Sequence, residues 1–230
     1  ALVVDPGEAA PVLAAADGLE LVAILLTHHH PDHIAGTAAL LERWPQAQVF
    51  APRDERIPVP CRRVADRERI DIGPWAFEAI AVPGHTRSHV AYFGEGLLFC
   101  GDTLFSLGCG RLFEGSPAQM HASLAKLAVL PADTRVCCGH EYTEANARFA
   151  LAVEPGNREL QEHAGAVREL RANDHPSLPG TLEIERACNP FLRVDAPGIR
   201  ASLERHLGRG MRDSVEAFAE LRAWKDGFKE

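Results

Sequence analysis

The chain has 230 residues, of which 46% are hydrophobic and 24% are charged, a composition typical of one large folded domain or two small ones rather than of a disordered chain. The longest apolar run, residues 19–26, is too short to span a membrane, so we expect no membrane insertion. A formal net charge of −8 argues against a general nucleic-acid binder, because phosphate binding requires a basic surface.

The first 140 residues alternate short apolar runs with helical patterns, which indicates an α/β fold. Helices are predicted at residues 34–44 and 117–129, and the second has a clear start, with Ser116 as N-cap, Pro117 at the first position and Gln119 completing a capping box. The predicted strands are residues 2–4, 21–26, 48–51, 75–82, 91–93, 97–100 and 135–138.

The pattern becomes entirely helical after His140. Asn157 is placed to cap one helix, and Asp213 with Glu216 forms a capping-box pattern ahead of another. We therefore divide the chain into an α/β domain, residues 1–140, and a helical domain, residues 141–230. Because the sequence starts at Ala1 directly before an apolar run, we expect a trimmed N-terminus.

Six cysteines are present, and none belongs to a CxxC pair. In a chain of this length they are predicted to be small buried apolar residues of a protein from a reducing compartment. We accordingly expect a cytoplasmic protein.

The segment THHHPDH, Thr27 to His33, is the most informative part of the sequence. His28 and His30 are two residues apart, so in extended backbone both side chains point the same way and can bind one metal ion. Asp32 and His33 lie past a proline turn and can serve a second ion. The side chain of His29 should face away, and we interpret it as structural.

Three further candidate ligands each follow a glycine at the end of a predicted strand: His85, Asp102 and His140. Sites in open α/β sheets lie outside the carboxyl ends of the strands, and glycine permits the sharp turn there. A single Gly-His or Gly-Asp pair is more often an ordinary turn. Because all these segments deliver ligands to one edge, the pattern favours a metal site.

Five imidazoles and two carboxylates would leave net positive charge around two divalent ions, which suits an anionic transition state. The donor types fit zinc, iron or manganese, and we expect zinc. A structural zinc site would be closed and usually rich in cysteine, which this pattern is not.

These residues resemble the metallo-β-lactamase family, whose motif is HxHxDH followed by an isolated His, an Asp and a final His. The resemblance implies a four-layer αββα sandwich with two metal ions. It places His28, His30 and His85 on the first ion and Asp32, His33 and His140 on the second, with Asp102 bridging both. True β-lactamases of this fold commonly carry cysteine where this chain has Asp102, which argues against antibiotic hydrolysis.

Four further segments are similar to glyoxalase II, the hydroxyacylglutathione hydrolases: GDTLFSLGCGRLFEG from Gly101, CGHEYT from Cys138, NPFLR from Asn189 and RAWKDGF from Arg222. The resemblance implies hydrolysis of S-D-lactoylglutathione to D-lactate and glutathione, with Asp32 and Asp102 as catalytic residues. It implies that glutathione is bound by residues matching Arg111, Phe113, Tyr142, Arg222 and Lys225. Phe113 stands where some relatives have tyrosine, so one hydrogen bond to glutathione would be missing.

The main alternative is an iron persulfide dioxygenase of the same fold, which acts on a glutathione derivative with a single iron. The complete set of seven ligands favours the two-metal hydrolase, and it also argues against a non-catalytic binding protein. Nuclease members of the fold are disfavoured by the acidic charge balance. We expect a monomer that acts on a small-molecule thioester and binds neither nucleic acid nor membrane.

Overall fold

The computed structural model describes residues 1–228, which form two compact units. The first unit comprises residues 1–81 and 88–101, and the second comprises residues 82–87 and the chain from residue 102 onward. In this division the chain passes from the first unit to the second, returns to the first, and then enters the second again. The boundary expected at residue 140 instead marks a change in the sequence pattern.

The first unit contains most of the strands. Its elements in chain order are β1 (Leu2–Val4), α1 (Ala9–Ala15), β2 (Ala23–Leu25), α2 (Pro31–Ile34), α3 (Thr37–Arg43), β3 (Gln48–Ala51), β4 (Arg62–Arg63), β5 (Glu68–Ile72), β6 (Trp75–Ala81), β7 (Val90–Gly94) and β8 (Leu97–Gly101).

Two sets of strands with different pairing form the framework of this unit. Strands β1, β2, β3 and β4 lie side by side in that order and are all parallel, with Val3 opposite Ile24 and Ile24 opposite Val49. Strands β5 to β8 form an antiparallel meander, in which Ala79 of β6 pairs with Tyr92 of β7. The parallel set brings the carboxyl ends of β1 and β2 to the same edge, where the Thr27–His33 segment begins.

Apolar side chains fill both faces of the parallel set. One face packs Ile24 and Leu26 against Leu40 and Trp44 from the α3 region. The other face contributes Ala23, Leu25 and Phe50 to a second core with side chains of the meander: Ile70, Ile72, Phe77, Ala79, Val90 and Tyr92. Helix, sheet and second sheet are therefore three successive layers of this unit.

The second unit is mainly helical. Its elements are β9 (Leu104–Phe105), β10 (Gly108–Cys109), α4 (Pro117–Ala128), β11 (Arg135–Cys138), α5 (Thr143–Val153), α6 (Arg158–Ala172), β12 (Gly180–Thr181), α7 (Leu182–Cys188), α8 (Pro197–Leu207) and α9 (Ser214–Gly227). Strands β9 and β10 form a two-stranded antiparallel hairpin, and β11 pairs with β12. A core that includes Leu107 and Leu160 packs α5, α6 and α7 together.

The predicted helix starts are confirmed. Ser116 and Gln119 form the full capping box of α4, and Asn157 accepts a hydrogen bond from the Leu160 amide at the start of α6. Asp213 caps α9 by accepting from the Glu216 amide. The Glu216 carboxylate, however, accepts from the Arg212 amide rather than from that of Asp213, so only one half of the expected box forms.

Several local predictions differ from the structure. The short strands β4, β9, β10 and β12 and helix α1 were not expected, and β12 lies in the part of the chain that was predicted to be entirely helical. The helix expected over residues 34–44 is divided at Gly36, whose amide donates to the Pro6 carbonyl at 2.8 Å rather than to a carbonyl of α2. Strand β5 was not expected, although its buried Ile70 and Ile72 alternate with exposed polar residues as in a half-buried edge strand. The other predicted strands are present with similar limits.

Within residues 1–228, no helix combines the length and the hydropathy that a membrane crossing requires.

Candidate metal-binding site

The turn after β2 brings ring nitrogens of two predicted ligands close together. His28 is fully buried, and its Nε2 lies 3.0 Å from Nδ1 of His30, which occupies the N-cap position of α2. The expectation that residues two apart point the same way is confirmed. Two imidazole nitrogens that converge in this way fit a divalent ion, which binds nitrogen donors of neutral histidine.

Asp32 and His33 lie on α2, the short helix that Pro31 begins. The Asp32 carboxylate is mostly exposed, whereas His33 is buried, and its Nε2 is 3.7 Å from Oδ2 of Asp32. Asp32 and His33 thus form a second pair of candidate donors past the proline, although the His33 ring lies close to that of His28, with ring centroids 4.1 Å apart.

Asp5, which was not predicted as a site residue, organises these histidines. It directly follows β1, and its carboxylate accepts hydrogen bonds from the Thr27 amide (2.7 Å), the Thr27 hydroxyl (2.6 Å) and Nδ1 of His33 (3.0 Å). The carboxyl-end argument that identified the other ligands would also have identified this residue, had it been applied to the first strand.

The hydrogen bonds of Asp5 determine which nitrogen of each ring carries the proton. Because the Thr27 hydroxyl donates to Asp5, it accepts from Nδ1 of His28, 3.0 Å away. Both His28 and His33 then hold a proton at Nδ1 and present an unprotonated Nε2. Donor atoms of Asp5, His28 and His33 all lie within 4.8 Å of one another, so this arrangement is compact.

Glycine is required where the backbone approaches this segment closely. A Cβ added at Gly7 would overlap the carbonyl oxygen of Asp32, and one added at Gly101 would overlap the Thr27 hydroxyl. Gly101 also has a left-handed φ of 46°. These contacts leave the ligand-bearing turn little room to shift.

Two other histidines of the first unit surround the donors. The imidazole of His89 is buried and stacks on that of His28 with ring centroids 4.7 Å apart. His29 faces Asp54, with its Nδ1 at 3.5 Å from the carboxylate, so its expected structural role agrees with its position. Hydrogen bonds from Arg56 and Ser88 hold the pKa of Asp54 well below its usual range, so this acid stays ionised.

The second unit brings together the three predicted ligands that follow glycines. Oδ2 of Asp102 lies 3.6 Å from Nε2 of His85 and 3.7 Å from Nε2 of His140. Nδ1 of His85 donates to the carbonyl oxygen of Arg111 at 2.9 Å, so its Nε2 is the unprotonated nitrogen. Asp102 and His85 are buried and His140 is partly exposed, which makes His140 the accessible member of this group.

Two exposed aromatic rings border these ligands. Phe113 is 62% exposed and makes an edge contact with His85 at 5.2 Å between ring centroids. Tyr142 is 50% exposed and stacks on His140, also at 5.2 Å. Both were predicted to contact substrate, and both present apolar surface to solvent beside candidate ligands.

The predicted cations of α9 are already engaged with the protein. The guanidinium of Arg222 is buried, donates to the carbonyl oxygen of Cys109 at 2.9 Å and to Asp226 at 3.0 Å, and lies over the Phe191 ring. Lys225 donates to the Ala145 carbonyl at 3.1 Å. The exposed Arg111 lies 3.8 Å from the same Asp226 carboxylate. Arg222 is thus much less accessible than a solvated helix end would be.

All six cysteines are free thiols. Cys100, Cys109 and Cys188 are buried as expected, whereas the other three are partly exposed. Burial raises the pKa of Cys109 to about 11 and that of Cys138 to about 12, so these two thiols are protonated at neutral pH and are poor nucleophiles.

Comparison with protein families divides the chain into two matches. Residues 1–140 match the metallo-beta-lactamase superfamily, and residues 141–228 match the model described as the C-terminus of hydroxyacylglutathione hydrolase. The superfamily match together with the clusters of histidine and aspartate indicates a divalent-metal site.

Curated relatives extend this similarity over the full length. The chain is 53% identical to a hydroxyacylglutathione hydrolase of Xylella fastidiosa strain M23, over 99% of this chain and 89% of the relative. It is 54% identical to one of Stenotrophomonas maltophilia, over 100% of this chain and 91% of the relative.

Solved structures agree with the fold. The BLEG-1 B3 metallo-beta-lactamase aligns with a TM-score of 0.60 and 26% identity over 82% of this chain and 87% of that one. ETHE1 from Myxococcus xanthus aligns with a TM-score of 0.53 and 28% identity over 83% of this chain and 85% of that one. The fold class implied by the sequence resemblance is confirmed.

Proposed function

Because the chain belongs to the hydroxyacylglutathione hydrolase family of the metallo-β-lactamase superfamily, we propose that it hydrolyses S-D-lactoylglutathione and related 2-hydroxyacylglutathione thioesters. The observation that carries the proposal is the identity above 50% to hydroxyacylglutathione hydrolases over both the α/β and the helical parts. It favours the hydrolase over the persulfide dioxygenase, which the metal motif alone does not. We also propose that the chain consists of an α/β domain, residues 1–140, and a helical domain, residues 141–230.

The proposed ligand set is the one implied by the resemblance. His28, His30 and His85 would hold one divalent ion, Asp32, His33 and His140 would hold another, and Asp102 would serve as a ligand to both. Zinc is the expected metal, with iron and manganese as alternatives. The donor chemistry supports this assignment: imidazole nitrogens converge in the first unit, and a buried carboxylate lies between two imidazoles in the second.

Bound divalent ions would lower the pKa of water and polarise the thioester carbonyl. The protein's own groups orient the reaction. The exposed Asp32 carboxylate orients the attacking water, and Asp5 keeps His28 and His33 in the tautomer that leaves Nε2 available. Water adds to the carbonyl carbon, the carbon–sulfur bond breaks, and the glutathione sulfur leaves and takes up a proton. The products are D-lactate and glutathione.

The glutathione moiety is proposed to contact residues of the second unit. Arg111 supplies an exposed cation, while Phe113 and Tyr142 supply exposed aromatic surface beside the candidate ligands. Arg222 and Lys225 complete the proposed set, and Arg222 contributes from a buried position. Positive charge at these residues suits the carboxylates of glutathione, which an acidic protein would otherwise repel. A monomeric cytoplasmic enzyme remains the expectation.

Thiol release from S-D-lactoylglutathione tests the reaction and the cofactor together. The protein is assayed as purified, after chelation, and after zinc, iron or manganese is added back separately, with metal content measured in each sample. We expect activity that chelation abolishes and metal restores, with two ions per chain. Thiol release that chelation leaves intact, or one iron per chain with oxygen uptake on glutathione persulfide, would contradict the proposal.

A further inference from the structure

We propose that Glu185 and Asn189, together with Asn146, are positioning residues of this enzyme, because they fix the β9–β10 hairpin that joins Asp102 to Arg111. The inference rests on the proposed function, since Asp102 and Arg111 are the metal and substrate groups at the two ends of the hairpin. Glu185 belongs to none of the motifs described above, and Asn189 appears there only as the first residue of the NPFLR segment.

Every residue of the hairpin tip, residues 105–108, is held through its backbone. The side-chain amide of Asn189 donates to the carbonyls of Phe105 (3.1 Å) and Gly108 (2.9 Å). The carboxylate of Glu185 accepts from the Leu107 amide at 2.8 Å. Asn146 donates to the carbonyl of Ser106 at 3.0 Å. Three side chains from two helices therefore bind four consecutive residues.

The conformation at the tip needs this support. Leu107 has a φ of 57°, in the left-handed region that is costly for a residue with a side chain. Its side chain is fully buried in the core of the second unit, and its amide is the one that Glu185 binds. Next to it, a Cβ added at Gly108 would lie 2.5 Å from the Asn146 side chain. The turn is thus a defined conformation held by specific partners.

The polar groups that hold the tip are themselves buried. Glu185 and Asn189 are both fully buried, and they bind each other at 2.9 Å. Burial raises the pKa of Glu185 to about 7, against the effect of the hydrogen bonds from Asn189 and the Leu107 amide. An apolar side chain would fill the same space without that desolvation cost, but it could not bind the hairpin backbone.

Each arm of the hairpin leads directly to a proposed site residue. Asp102 precedes β9, and the chain behind β10 closes on it: the Gly110 amide donates to the Thr103 carbonyl at 3.2 Å, and a Cβ at Gly110 would overlap the Asp102 carbonyl oxygen. On the return arm, the Arg111 carbonyl accepts from Nδ1 of His85.

A third connection runs to α9, where Arg222 donates to the carbonyl of Cys109 on β10. A shift of the tip would therefore move three groups at once. They are the proposed metal ligand Asp102, the Arg111 carbonyl that binds His85, and the Cys109 carbonyl that binds Arg222. Residues that touch neither substrate nor metal thereby control the site through the hairpin.

The test compares Glu185→Leu with Glu185→Gln in the full-length protein. Glutamine retains an oxygen for the Leu107 and Asn189 donors, whereas leucine leaves the Leu107 amide unsatisfied and removes one of the three acceptors around the Asn189 amide. For Glu185→Leu we expect kcat to fall about tenfold or more and metal to be lost to a competing chelator at about tenfold lower chelator concentration. Glu185→Gln should retain more than about a third of the wild-type value for both readouts.

Val167→Ala serves as the matched control, because it truncates a buried side chain of α6 that is not among the residues described in the core around Leu107. It should lower the melting temperature but leave kcat and metal retention near wild type at temperatures where it is folded. Should Glu185→Leu fail to fold, Asn146→Ala takes its place. This variant loses the bond to Ser106 and the side chain that packs against Gly108, and we expect about a threefold fall in kcat.

Wild-type kcat and metal retention in folded Glu185→Leu, or in Asn146→Ala when that variant replaces it, would overturn the inference. A loss of kcat and of metal retention in Val167→Ala, at a change in melting temperature equal to that of Glu185→Leu, would also overturn it. The metal readout does not depend on substrate. Failure of the wild-type protein to release thiol would therefore overturn the proposed function alone, while chelator competition would still decide the positioning role.

Discussion

The two units supply candidate ligands in different ways. In the first unit, four candidate ligands come from six consecutive residues, His28 to His33, and one neighbouring carboxylate, Asp5, orders two of them, His28 and His33. In the second unit, three candidate ligands come from three separate turns, and the carbonyl of Arg111, 26 residues further along the chain, orients one of them, His85. The first arrangement is local and depends on one acid, whereas the second is distributed and depends on the packing of several helices.

This difference predicts how substitutions should affect the candidate ligands of each unit. A change at Asp5 should disturb two imidazoles without altering the fold of the second unit. A change among the helices of the second unit should act through the backbone that carries Asp102 and the carbonyl of Arg111. Four substitutions test the contrast.

Asp102→Ala should give the largest effect, since it removes the carboxylate that lies between His85 and His140. We expect turnover to fall by about 1,000-fold or more and the metal content to drop, as measured by thiol release and elemental analysis. Asp133→Ala, which removes an exposed acid of the same unit, is the control. Near-normal turnover with full metal content in Asp102→Ala would refute its role as a ligand.

Asp5→Asn tests the local half. The amide removes the negative charge to which the Thr27 hydroxyl and Nδ1 of His33 donate, so the tautomers of the histidines are no longer fixed. Metal affinity should fall about 10- to 100-fold in chelator competition, while thermal stability changes less. Asp17→Asn, at an exposed position, should behave as wild type. Unchanged metal affinity would show that Asp5 has only a structural role.

Glu185→Gln tests the second unit through the pH dependence of the free energy of unfolding. The folded state raises the pKa of this acid from 4.5 to about 7, so folding favours its protonated form, and stability is lost as the pH rises through that window. The wild-type protein should lose about 1 kcal/mol per pH unit there relative to Glu185→Gln, measured by denaturant unfolding. Parallel pH profiles of the two proteins would contradict this assignment.

Phe113→Tyr should give the smallest effect. A tyrosine hydroxyl at this exposed rim position would add one hydrogen bond to glutathione, so KM should fall about two- to tenfold while kcat stays the same. Phe113→Leu, which adds no donor, should leave KM at or above the wild-type value. A KM that is the same for Phe and Tyr would mean that this ring does not face the glutathione backbone.

Much of the candidate site could be predicted because short stretches of the sequence identify its residues. The HxHxDH spacing and the glycines before His85, Asp102 and His140 are visible without coordinates, and the starts of α4 and α6 follow from capping residues. The alternation in β5 was also visible and was missed.

The supporting contacts could not be predicted in this way. The Glu185–Leu107 bond joins residues 78 positions apart, and the bond from Arg222 to Cys109 spans 113 positions. No local pattern distinguishes a buried Glu185 on α7 from the exposed acids common on helices, and the burial of Arg222 depends on packing rather than on periodicity.

Gly7 shows what such packing means for anyone who alters this protein. Gly7 has no side chain that could bind metal, and it lies outside every motif described above. Its Cα nevertheless lies so close to the carbonyl oxygen of Asp32 that a methyl group cannot fit. A mutagenesis library that spares all seven donors but randomises this glycine should still yield mostly inactive clones. Variation is better directed at open positions such as Gly156 and Gly165, where a Cβ meets nothing within 4 Å.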